Sequence, residues 1–442
     1  MKAVRGFFPC LALLGLLAQA TASTLLYYEG FETNGWNGWT NDTRYTLDTN
    51  YAWVITAPTN GPGSAYRGTN CACTYGPGTD CYLVSPPLLV PWVDQYSNHL
   101  WLYYWQWQRY TNTLGYTCLS DVKIREYQPL LGAWGPWNLI DPGTSGVIDS
   151  AQPCWRRRGI DLTLFAMSGL NVVQLGFGHG GLGNPGWFVD DIEIWNVPVA
   201  TNLPDLQGFE GGWADWYNDR LCAWDIGIPT GAGGGPTNAP GGLHCAGTGL
   251  AGVPPPEPAG VLWTPAFYMP SVRPGEKIFL QFDHWWDYGV GGLPSVVWSY
   301  WFPSIGWWFP QNLTESLAVG LPHTWQSMLV DVSGMAGYPV PLRLGFDAYV
   351  TYTLGWFIDN AQIIPARFRI VSILRQTNDI CLTWTAPIGT TNVVQCSGAV
   401  TGNFTNLSSP IVASGAAQVT LRYTHLGAAT NAATQFYRVR QL

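Results

Sequence analysis

The chain has 442 residues, of which 11% are charged, and its formal net charge is −8. This length allows two or three domains with cores of their own, and the negative charge argues against nucleic acid or an anionic membrane surface as a partner. Tryptophan (25), tyrosine (22), glycine (52) and proline (33) are abundant. Short apolar and aromatic runs separated by turn residues favour antiparallel β structure over helix.

Residues 1–22 have the pattern of a secretory signal peptide. Lys2 and Arg5 precede the apolar run Leu11–Leu17, and the small residues of Ala18–Ala22 suit signal peptidase. We therefore expect a secreted protein, extracellular or at the cell surface, whose folded part starts near residue 23. The apolar run is shorter than the roughly 18 residues that a membrane span needs, so we do not expect a membrane-spanning protein.

Export would place the cysteines in an oxidising compartment. Such a compartment would close Cys222 with Cys245, and Cys381 with Cys396, as disulfides, although the sequence does not fix the connectivity. Residues 23–200 contain an odd number of cysteines, so we expect one thiol there to be free or to form an intermolecular disulfide. These cysteines are Cys71, Cys73, Cys81, Cys118 and Cys154.

A motif that occurs twice divides the chain. Residues 186–191 read GWFVDD and residues 355–360 read GWFIDN. Each copy closes a unit that opens with a Phe-Glu pair, at residues 31–32 in the first unit and at residues 209–210 in the second. We therefore predict a first domain at 23–200, a second domain at 203–365 and a C-terminal module at 366–442.

The clearest strand of the first domain is residues 100–107, where side chains alternate between two faces. In the second domain the matching strand has Ile278, Leu280 and Phe282 on one face, which we expect to be core. The opposite face is therefore expected to meet solvent or a ligand. Aromatic rings stack on sugars, so this face predicts a site for a polysaccharide or a cell-surface glycoprotein, although the same rings can equally fill the space between sheets. The candidate ligand-binding residues are Trp101, Tyr103, Trp105, Trp107 and Trp285.

Residues 366–442 have a different pattern of short strand-like runs separated by Gly, Asn, Ser and Pro. Residues 381–384 and 436–439 resemble the inner tryptophan strand and the tyrosine strand of fibronectin type III-like sandwiches. The segment is short for a full seven-strand domain. We expect a small sandwich that is a spacer, or a sorting or attachment element.

Units made of strands and loops without a helical period fit two-sheet jelly rolls better than barrels or parallel sheets. The predicted fold class is therefore all-β, with two tandem jelly-roll β-sandwiches and a small C-terminal fibronectin type III-like sandwich. The Phe-Glu openings and the closing GWFVDD and GWFIDN motifs resemble the bacterial choice-of-anchor J and cleaved-adhesin domains, relatives of the meprin/A5/mu jelly rolls. The resemblance covers residues 24–365. It implies a non-catalytic adhesion or carbohydrate-binding protein, often with structural calcium.

Carboxylates among apolar residues also indicate a cation. Asp190 and Asp359 lie in strands that otherwise contain Trp, Phe, Val and Ile, and a carboxylate buried there without a partner would destabilise the fold. Calcium accepts carboxylate and carbonyl oxygens in irregular loop geometry. Alternatively, these side chains cap backbone amides or are exposed. The residues expected to hold calcium are Glu32, Asp190, Asp191, Glu210, Asp359 and Asn360.

The sequence contains neither a Gly-x-Ser-x-Gly elbow nor a His-Glu-x-x-His motif. It favours a secreted, non-catalytic adhesion or carbohydrate-binding protein that acts at the cell surface or in the extracellular matrix. One alternative is a glycoside hydrolase or hydrolase accessory protein, because a jelly roll can hold two carboxylates across a sugar groove. Asp283 and Asp287, with Trp285 between them, are the candidate pair. Another alternative is a structural surface-layer or matrix protein.

Overall fold

The computed structural model describes residues 22–32, 35–42, 52–59, 61–74, 78–110, 119–141, 155–167, 171–181, 185–201, 208–219, 224–250, 259–287, 294–314, 317, 323–349, 355–415, 417–431 and 434–442. The predicted signal peptide, apart from Ala22, lies outside these residues, as do Cys118, Cys154 and Cys222. None of the described helices is long and apolar enough to cross a membrane.

The described part of the first domain is built from two antiparallel sheets that face each other. One sheet has the order β11-β7-β13-β4-β3 with β1 along β13, and the other has the order β10-β8-β12-β5-β2 with β6 beside β12 and β9 beside β8. The elements are β1 (Thr24–Glu29), β2 (Thr40–Asp42), β3 (Val54–Thr56), β4 (Cys71–Cys73), β5 (Gly78–Val84), β6 (Leu88–Val90), β7 (Asn98–Tyr110), β8 (Leu119–Gln128), β9 (Ala133–Trp134), β10 (Asn138–Asp141), β11 (Arg156–Asp161), α1 (Thr163–Ala166), β12 (Asn171–Gly181) and β13 (Pro185–Pro198).

The second domain repeats this arrangement. Its sheets have the orders β15-β16-β24-β18-β22 and β20-β19-β23-β17-β14, with β21 beside β19, so that β18 and β24 correspond to β7 and β13. The prediction of tandem all-β sandwiches is therefore confirmed. The strands are β14 (Tyr217–Asn218), β15 (Asp225–Gly227), β16 (Cys245–Gly247), β17 (Ala259–Trp263), β18 (Lys277–Asp287), β19 (Ser295–Phe302), β20 (Gly306–Trp307), β21 (Gln311–Asn312), β22 (Gln326–Asp331), β23 (Leu342–Tyr349) and β24 (Gly355–Ala366).

The C-terminal module is a small sandwich around the fully buried Trp384. Three strands form one sheet in the order β25-β26-β30, and β27 pairs with β28, β29 and β31 in the other sheet. The elements are β25 (Arg369–Gln376), β26 (Asp379–Pro387), β27 (Thr391–Ser397), β28 (Thr405–Asn406), β29 (Ile411–Val412), β30 (Gln418–His425), α2 (Ala428–Asn431) and β31 (Phe436–Gln441).

The expected disulfide between Cys381 and Cys396 is not formed, and Cys245 is also a free thiol. Cys381 lies on β26, where its sulfur accepts a hydrogen bond from Nε of Arg422 at 2.7 Å. Cys396 lies on β27, which belongs to the opposite sheet. The prediction of this disulfide was wrong because Cys381 alternates with the core residues Leu382 and Trp384, so its side chain points away from the sheet that holds Cys396.

All three described cysteines of the first domain are buried. Cys71 and Cys73 lie together on β4, where hydrogen bonding with Cys73, and burial, raise the pKa of Cys71. A buried thiol of this kind is inert rather than reactive. Cys71, Cys73 and Cys81 are therefore not placed to form the expected disulfide with another chain.

The repeated Gly-Trp-Phe motif marks a β-bulge. The register of β13 on β7 shifts after Asp190, and that of β24 on β18 shifts in the same place. Asp191 and Asn360 have positive φ angles of 44° and 52°. Aspartate and asparagine tolerate this left-handed conformation better than most residues, which explains why either residue serves at this position.

A shared sheet joins the two sandwiches. The edge strand β11 of the first domain pairs in parallel with β14 of the second domain, with Arg158 opposite Asn218, and this pairing contributes to a sheet of twelve strands. The buried guanidinium of Arg157 donates from Nη1 to the backbone carbonyls of Ala214 at 2.8 Å and Trp216 at 3.0 Å. A buried charge is tolerated only when it is paired or hydrogen-bonded, so Arg157 ties the first domain to the second.

We predict that Arg157→Gln weakens the junction by about 2–4 kcal/mol, because it removes a charged donor and leaves buried carbonyls without a partner. Calorimetry of the full chain should then show two melting transitions, one for each sandwich, whereas the parent protein should show a single joint transition. Arg375→Gln, at the exposed end of β25, is the control and should leave the melt unchanged. A joint transition in Arg157→Gln at the parent's temperature would contradict this role.

The two domains differ at the buried position that holds Gln106 in the first domain and His284 in the second. Gln106 and His284 lie opposite the equivalent residues Val189 and Ile358 on β13 and β24. Gln106 accepts a hydrogen bond from Nε1 of Trp187 at 3.1 Å. In the second domain, within the described residues, Nε1 of the corresponding Trp356 and both ring nitrogens of His284 have no partner. Burial lowers the pKa of His284 to about 4.

His284 should make the second domain sensitive to acid. Its folded pKa of about 4 lies below the ordinary value of 6.5, so its contribution to stability is complete above about pH 6.5 and is lost as the pH falls toward 4. We predict that His284→Gln melts at a higher temperature than the parent at pH 5, and that the gain shrinks at pH 8. Gln106→His should create the same acid sensitivity in the first domain. Equal differences between His284→Gln and the parent at both pH values would contradict this assignment.

Candidate functional site

The aromatic face of β7 is covered. Trp101, Tyr103 and Trp107 are each at most 2% exposed. Trp101 and Tyr103 pack against Tyr217 and other residues of the second domain, and Trp107 packs edge to face on Phe188 with ring centroids 5.1 Å apart. The expectation that this face meets solvent or a ligand was therefore wrong for these three residues. The second domain and the segment 61–74 cover them.

The two remaining candidate residues are also packed. Trp105 is half-buried and stacks on Tyr66, with ring centroids 3.6 Å apart. Trp285 is 4% exposed and packs on Phe357, which matches the contact of Trp107 with Phe188 in the first domain. Strand alternation separated the two faces of β7 and β18 correctly. It carried no information about what covers the outer face.

The carboxylates expected to bind calcium hold a loop in the first domain. Glu32 accepts hydrogen bonds from the backbone N–H groups of Thr69 at 2.9 Å and Asn70 at 2.7 Å. Asp190 accepts from the backbone N–H groups of Arg67 at 3.2 Å and Asp191 at 2.8 Å. The two carboxylates therefore fasten residues 67–70 across the end of the sheet.

The second domain contains the same arrangement. Glu210 accepts from the backbone N–H groups of Leu243 and His244 at 2.9 and 2.8 Å. Asp359 accepts from those of Gly241 at 2.9 Å and Asn360 at 2.7 Å. Burial raises the pKa of Asp190 to about 7 and that of Asp359 to about 6. We call these two groups the loop clamps: Glu32 and Asp190 with residues 67–70, and Glu210 and Asp359 with residues 241–244.

Asp191 and Asn360, which follow the two clamp aspartates in the sequence, also contact protein side chains. Asp191 accepts from the hydroxyl of Tyr28 at 2.5 Å and lies 3.6 Å from Nε of Arg67. The amide of Asn360 donates to Asp283 at 2.8 Å. Among the described residues, no three His, Cys, Asp or Glu side chains converge as metal ligands would. The contacts of Glu32, Asp190, Glu210 and Asp359 match the alternative in which the side chains cap backbone amides. Calcium binding by the six residues stays a prediction.

We predict that Glu32→Ala loosens the first clamp, because the mutation removes the acceptor for two backbone donors. Arg67, whose side chain is 68% exposed, lies in the clamped loop and is a site for trypsin. Cleavage after Arg67 should therefore be faster in Glu32→Ala than in the parent. An unchanged cleavage rate would show that the loop is held by other contacts.

The same digestion tests the calcium prediction. If calcium binds at the clamps, a chelator should speed cleavage of the parent after Arg67 and lower its melting temperature. Equal cleavage and an equal melting temperature with calcium and with chelator would contradict calcium binding there.

The other sheet of the first domain carries an aromatic surface that the sequence analysis missed. Along β8, Val122 and Ile124 point into the core, and Lys123 and Arg125 alternate with them on the outer face. The neighbouring outward positions on β12 are Gly176 and Gly178. A Cβ at Gly178 would lie 2.4 Å from the Tyr82 ring, and one at Gly176 would lie 3.1 Å from the Trp137 ring. The two glycines therefore leave room for the rings to lie on the sheet.

Cations and hydrogen bonds hold this surface in place. Tyr82 and Trp137 are nearly parallel, with an angle of 14° and ring centroids 6.5 Å apart. The guanidinium carbon of Arg125 lies 4.4 Å from the centroid of Trp137 and 5.2 Å from that of Trp134. Arg125 also donates twice to the side-chain oxygen of Gln174, at 3.0 and 2.7 Å. We call this surface the aromatic platform; it consists of Tyr82, Lys123, Arg125, Trp134, Trp137 and Gln174.

The corresponding face of the second domain is covered. Val261 and Trp263 of β17 pack against Trp101 and Tyr103 of the first domain. Arg343 of β23 lies 4.0 Å from the centroid of Trp263 and 4.4 Å from that of Trp307, so it repeats the placement of Arg125 between aromatic rings. The same outer face thus serves as a domain interface in one repeat, whereas in the other its rings and Lys123 are only half-buried.

Both members of the candidate catalytic pair have protein partners. Asp283 accepts the hydrogen bond from Asn360, and a carboxylate oxygen of Asp287 lies 3.6 Å from Nε2 of His323. The ring between them, Trp285, is buried against Phe357. The two carboxylates therefore flank a covered ring, whereas a glycosidase needs its two carboxylates on either side of an accessible sugar.

No protein-family model matches the chain, and no curated protein sequence matches it. Among solved structures, the chain is similar to the CBM22 tandem domain of a Paenibacillus barcinonensis protein, with 12% identity over 79% of this chain and 99% of that chain and a TM-score of 0.27. It is also similar to the K1 cleaved adhesin domain of Lys-gingipain from Porphyromonas gingivalis, with 16% identity over 39% and 98% of the two chains and a TM-score of 0.25.

A third similar structure is a beta-1,2-glucanase from Parabacteroides distasonis, with 12% identity over 55% of this chain and 36% of that chain and a TM-score of 0.21.

Proposed function

We propose that this protein is a secreted, non-catalytic glycan-binding protein that holds a polysaccharide, or the glycan of a cell-surface glycoprotein, on the aromatic platform. The observation that carries the proposal is the pair of nearly parallel rings, Tyr82 and Trp137, seated over Gly178 and Gly176 on the outer face of the sheet. Sugar rings have an apolar face made of C–H groups, and such faces pack on aromatic rings. Secretion is inferred from the signal-peptide pattern of residues 1–22.

The polar side chains of the platform match the rest of a sugar. Hydroxyl groups both donate and accept hydrogen bonds. Lys123 and Arg125 supply donors beside the rings, and the carboxylate of Asp121 supplies an acceptor. Nζ of Lys123 lies 4.5 Å from the centroid of Tyr82 and 3.2 Å from a carboxylate oxygen of Asp121. A glycan could therefore stack on the rings while its hydroxyl groups bond to the charged groups at their edge.

Preorganisation also favours binding at this place. The platform side chains are carried mainly by strands, and Arg125 is fixed by two rings and by Gln174. A ligand that meets a preformed surface loses less free energy to the ordering of side chains than one that binds flexible loops. The absence of an open pair of carboxylates on the described part of this surface favours binding over hydrolysis.

We predict that Trp137→Ala and Tyr82→Ala each weaken glycan binding by about 2 kcal/mol, roughly 30-fold, the typical effect of truncating a central aromatic contact. The measurement is affinity electrophoresis of the full chain through gels that contain different polysaccharides, with calcium present. Far-ultraviolet spectra should be the same as for the parent, because both rings lie on the outer face.

Two further variants separate binding from folding. Trp92→Ala changes a tryptophan that is 60% exposed and does not contact the platform rings, so it should be retarded like the parent. Trp101→Ala should instead lower stability, because that ring is buried at the domain junction. Retardation of Trp137→Ala equal to that of the parent, in every polysaccharide that retards the parent, would contradict the proposed site.

A further inference from the structure

Charge is distributed unevenly along this chain. Residues 366–442 contain six arginines, no lysine, one aspartate and no glutamate, which gives this module a formal charge of +5. The other 365 residues contain 14 basic and 27 acidic residues and carry −13. Such an asymmetry between parts of a chain points to an acidic partner for the basic part.

Two arginines of this module line a groove at its junction with the second domain. Two adjoining cavities of about 540 and 580 Å³ share Pro365, Arg367 and Arg369 in their walls. The second domain contributes Arg273 to the first cavity, and β30 contributes Gln418 to the second. The groove therefore runs past both sides of the segment that connects the second domain to β25.

The three guanidinium groups of this groove are not used by the fold. The backbone N–H of Arg273 donates to Glu276 at 2.9 Å, and that of Arg367 donates to Gln418 at 2.7 Å. These bonds fix the backbone, whereas the side chains of Arg273, Arg367 and Arg369 form no hydrogen bond or ion pair with other described residues. Buried Arg157, by comparison, donates to two carbonyls of the second domain.

The chemistry of the walls selects one kind of ligand. Glu276 is the one acidic residue in the described walls, so positive charge exceeds negative charge along the groove. A planar guanidinium binds a carboxylate through two parallel hydrogen bonds. Phe368 and Val371 add apolar surface between the charges. The charge of −13 on the rest of the chain disfavours an anionic bilayer or a polyanion with several charges per sugar, and favours a polymer with no more than one charge per sugar.

We propose that this groove binds an acidic polysaccharide whose sugar rings carry carboxylate groups. The class of ligand rests on the proposed glycan-binding function, but the site is separate from the aromatic platform. Arg273, Arg367 and Arg369 bind carboxylates on successive sugars, and the apolar wall residues contact the sugar rings between them. The platform and the groove are then two independent sites on one chain.

The experiment is affinity electrophoresis of the full chain through gels with polygalacturonate, and in parallel with a neutral glucan. The double variant Arg367→Gln/Arg369→Gln removes two charges from the groove. The matched control, Arg375→Gln/Arg440→Gln, removes the same charge from the same module at exposed residues that line neither cavity. We expect polygalacturonate to retard the parent and the control alike, and to bind the groove variant about tenfold more weakly. Added salt should weaken the parent's retardation by screening.

Other outcomes would overturn the proposal. Equal loss in the two double variants would show that only net charge matters. Retardation by dextran sulfate but not by polygalacturonate would exclude carboxylate recognition, as would groove-dependent binding to phosphatidylglycerol vesicles without retardation by polygalacturonate. Trp137→Ala should bind polygalacturonate as strongly as the control Arg375→Gln/Arg440→Gln does. Loss of binding in Trp137→Ala but not in the groove variant would place the ligand on the platform, so failure of the groove and failure of the platform are distinguishable.

Discussion

The parallel pairing of β11 with β14, tied by Arg157 and Arg158, is the interaction on which the rest of the structure depends. Arg157 donates to two carbonyls of the second domain, and Arg158 donates to the carbonyl of Asn218 at 3.2 Å. These bonds give two buried guanidinium groups partners across the junction, and Arg158 is also paired with Asp141 of the first domain. The resulting twelve-stranded sheet fixes one sandwich against the other and decides which aromatic surfaces are covered.

The two domains share one fold, but their equivalent outer sheet faces have different surroundings. The outer face of β17 and β23 in the second domain packs on Trp101 and Tyr103, so its aromatic rings stabilise the junction. In the first domain the equivalent face carries Tyr82 and Trp137 with charged and amide groups beside them, and this is the surface that we propose binds glycan. The domain interface and the candidate site are therefore built from the same repeated pattern of strands, glycines and aromatic rings.

Much of the fold could be predicted from the sequence, because the signals are local or repeated. The two Gly-Trp-Phe motifs, the alternation along residues 100–107 and the tryptophan of the C-terminal module all indicate strands and sandwiches. What covers a face is not local: β7 alternates in the same way whether its outer residues meet water or another domain. The platform was missed because Tyr82, Arg125 and Trp137 are distant in sequence and meet only through sheet pairing. The Cys381–Cys396 prediction failed because the spacing of two cysteines in the sequence does not show that Cys381 points away from the core.

The central claim, that glycan lies on the aromatic platform, is tested most directly by hydroxyl-radical footprinting of the full chain with the polysaccharide that retards it most. The account predicts that oxidation of Tyr82, Trp134 and Trp137 falls when the polysaccharide is bound, while oxidation of the exposed Trp92 stays the same. Protection of other aromatic residues, with the three platform rings oxidised at the rate of the free protein, would contradict it.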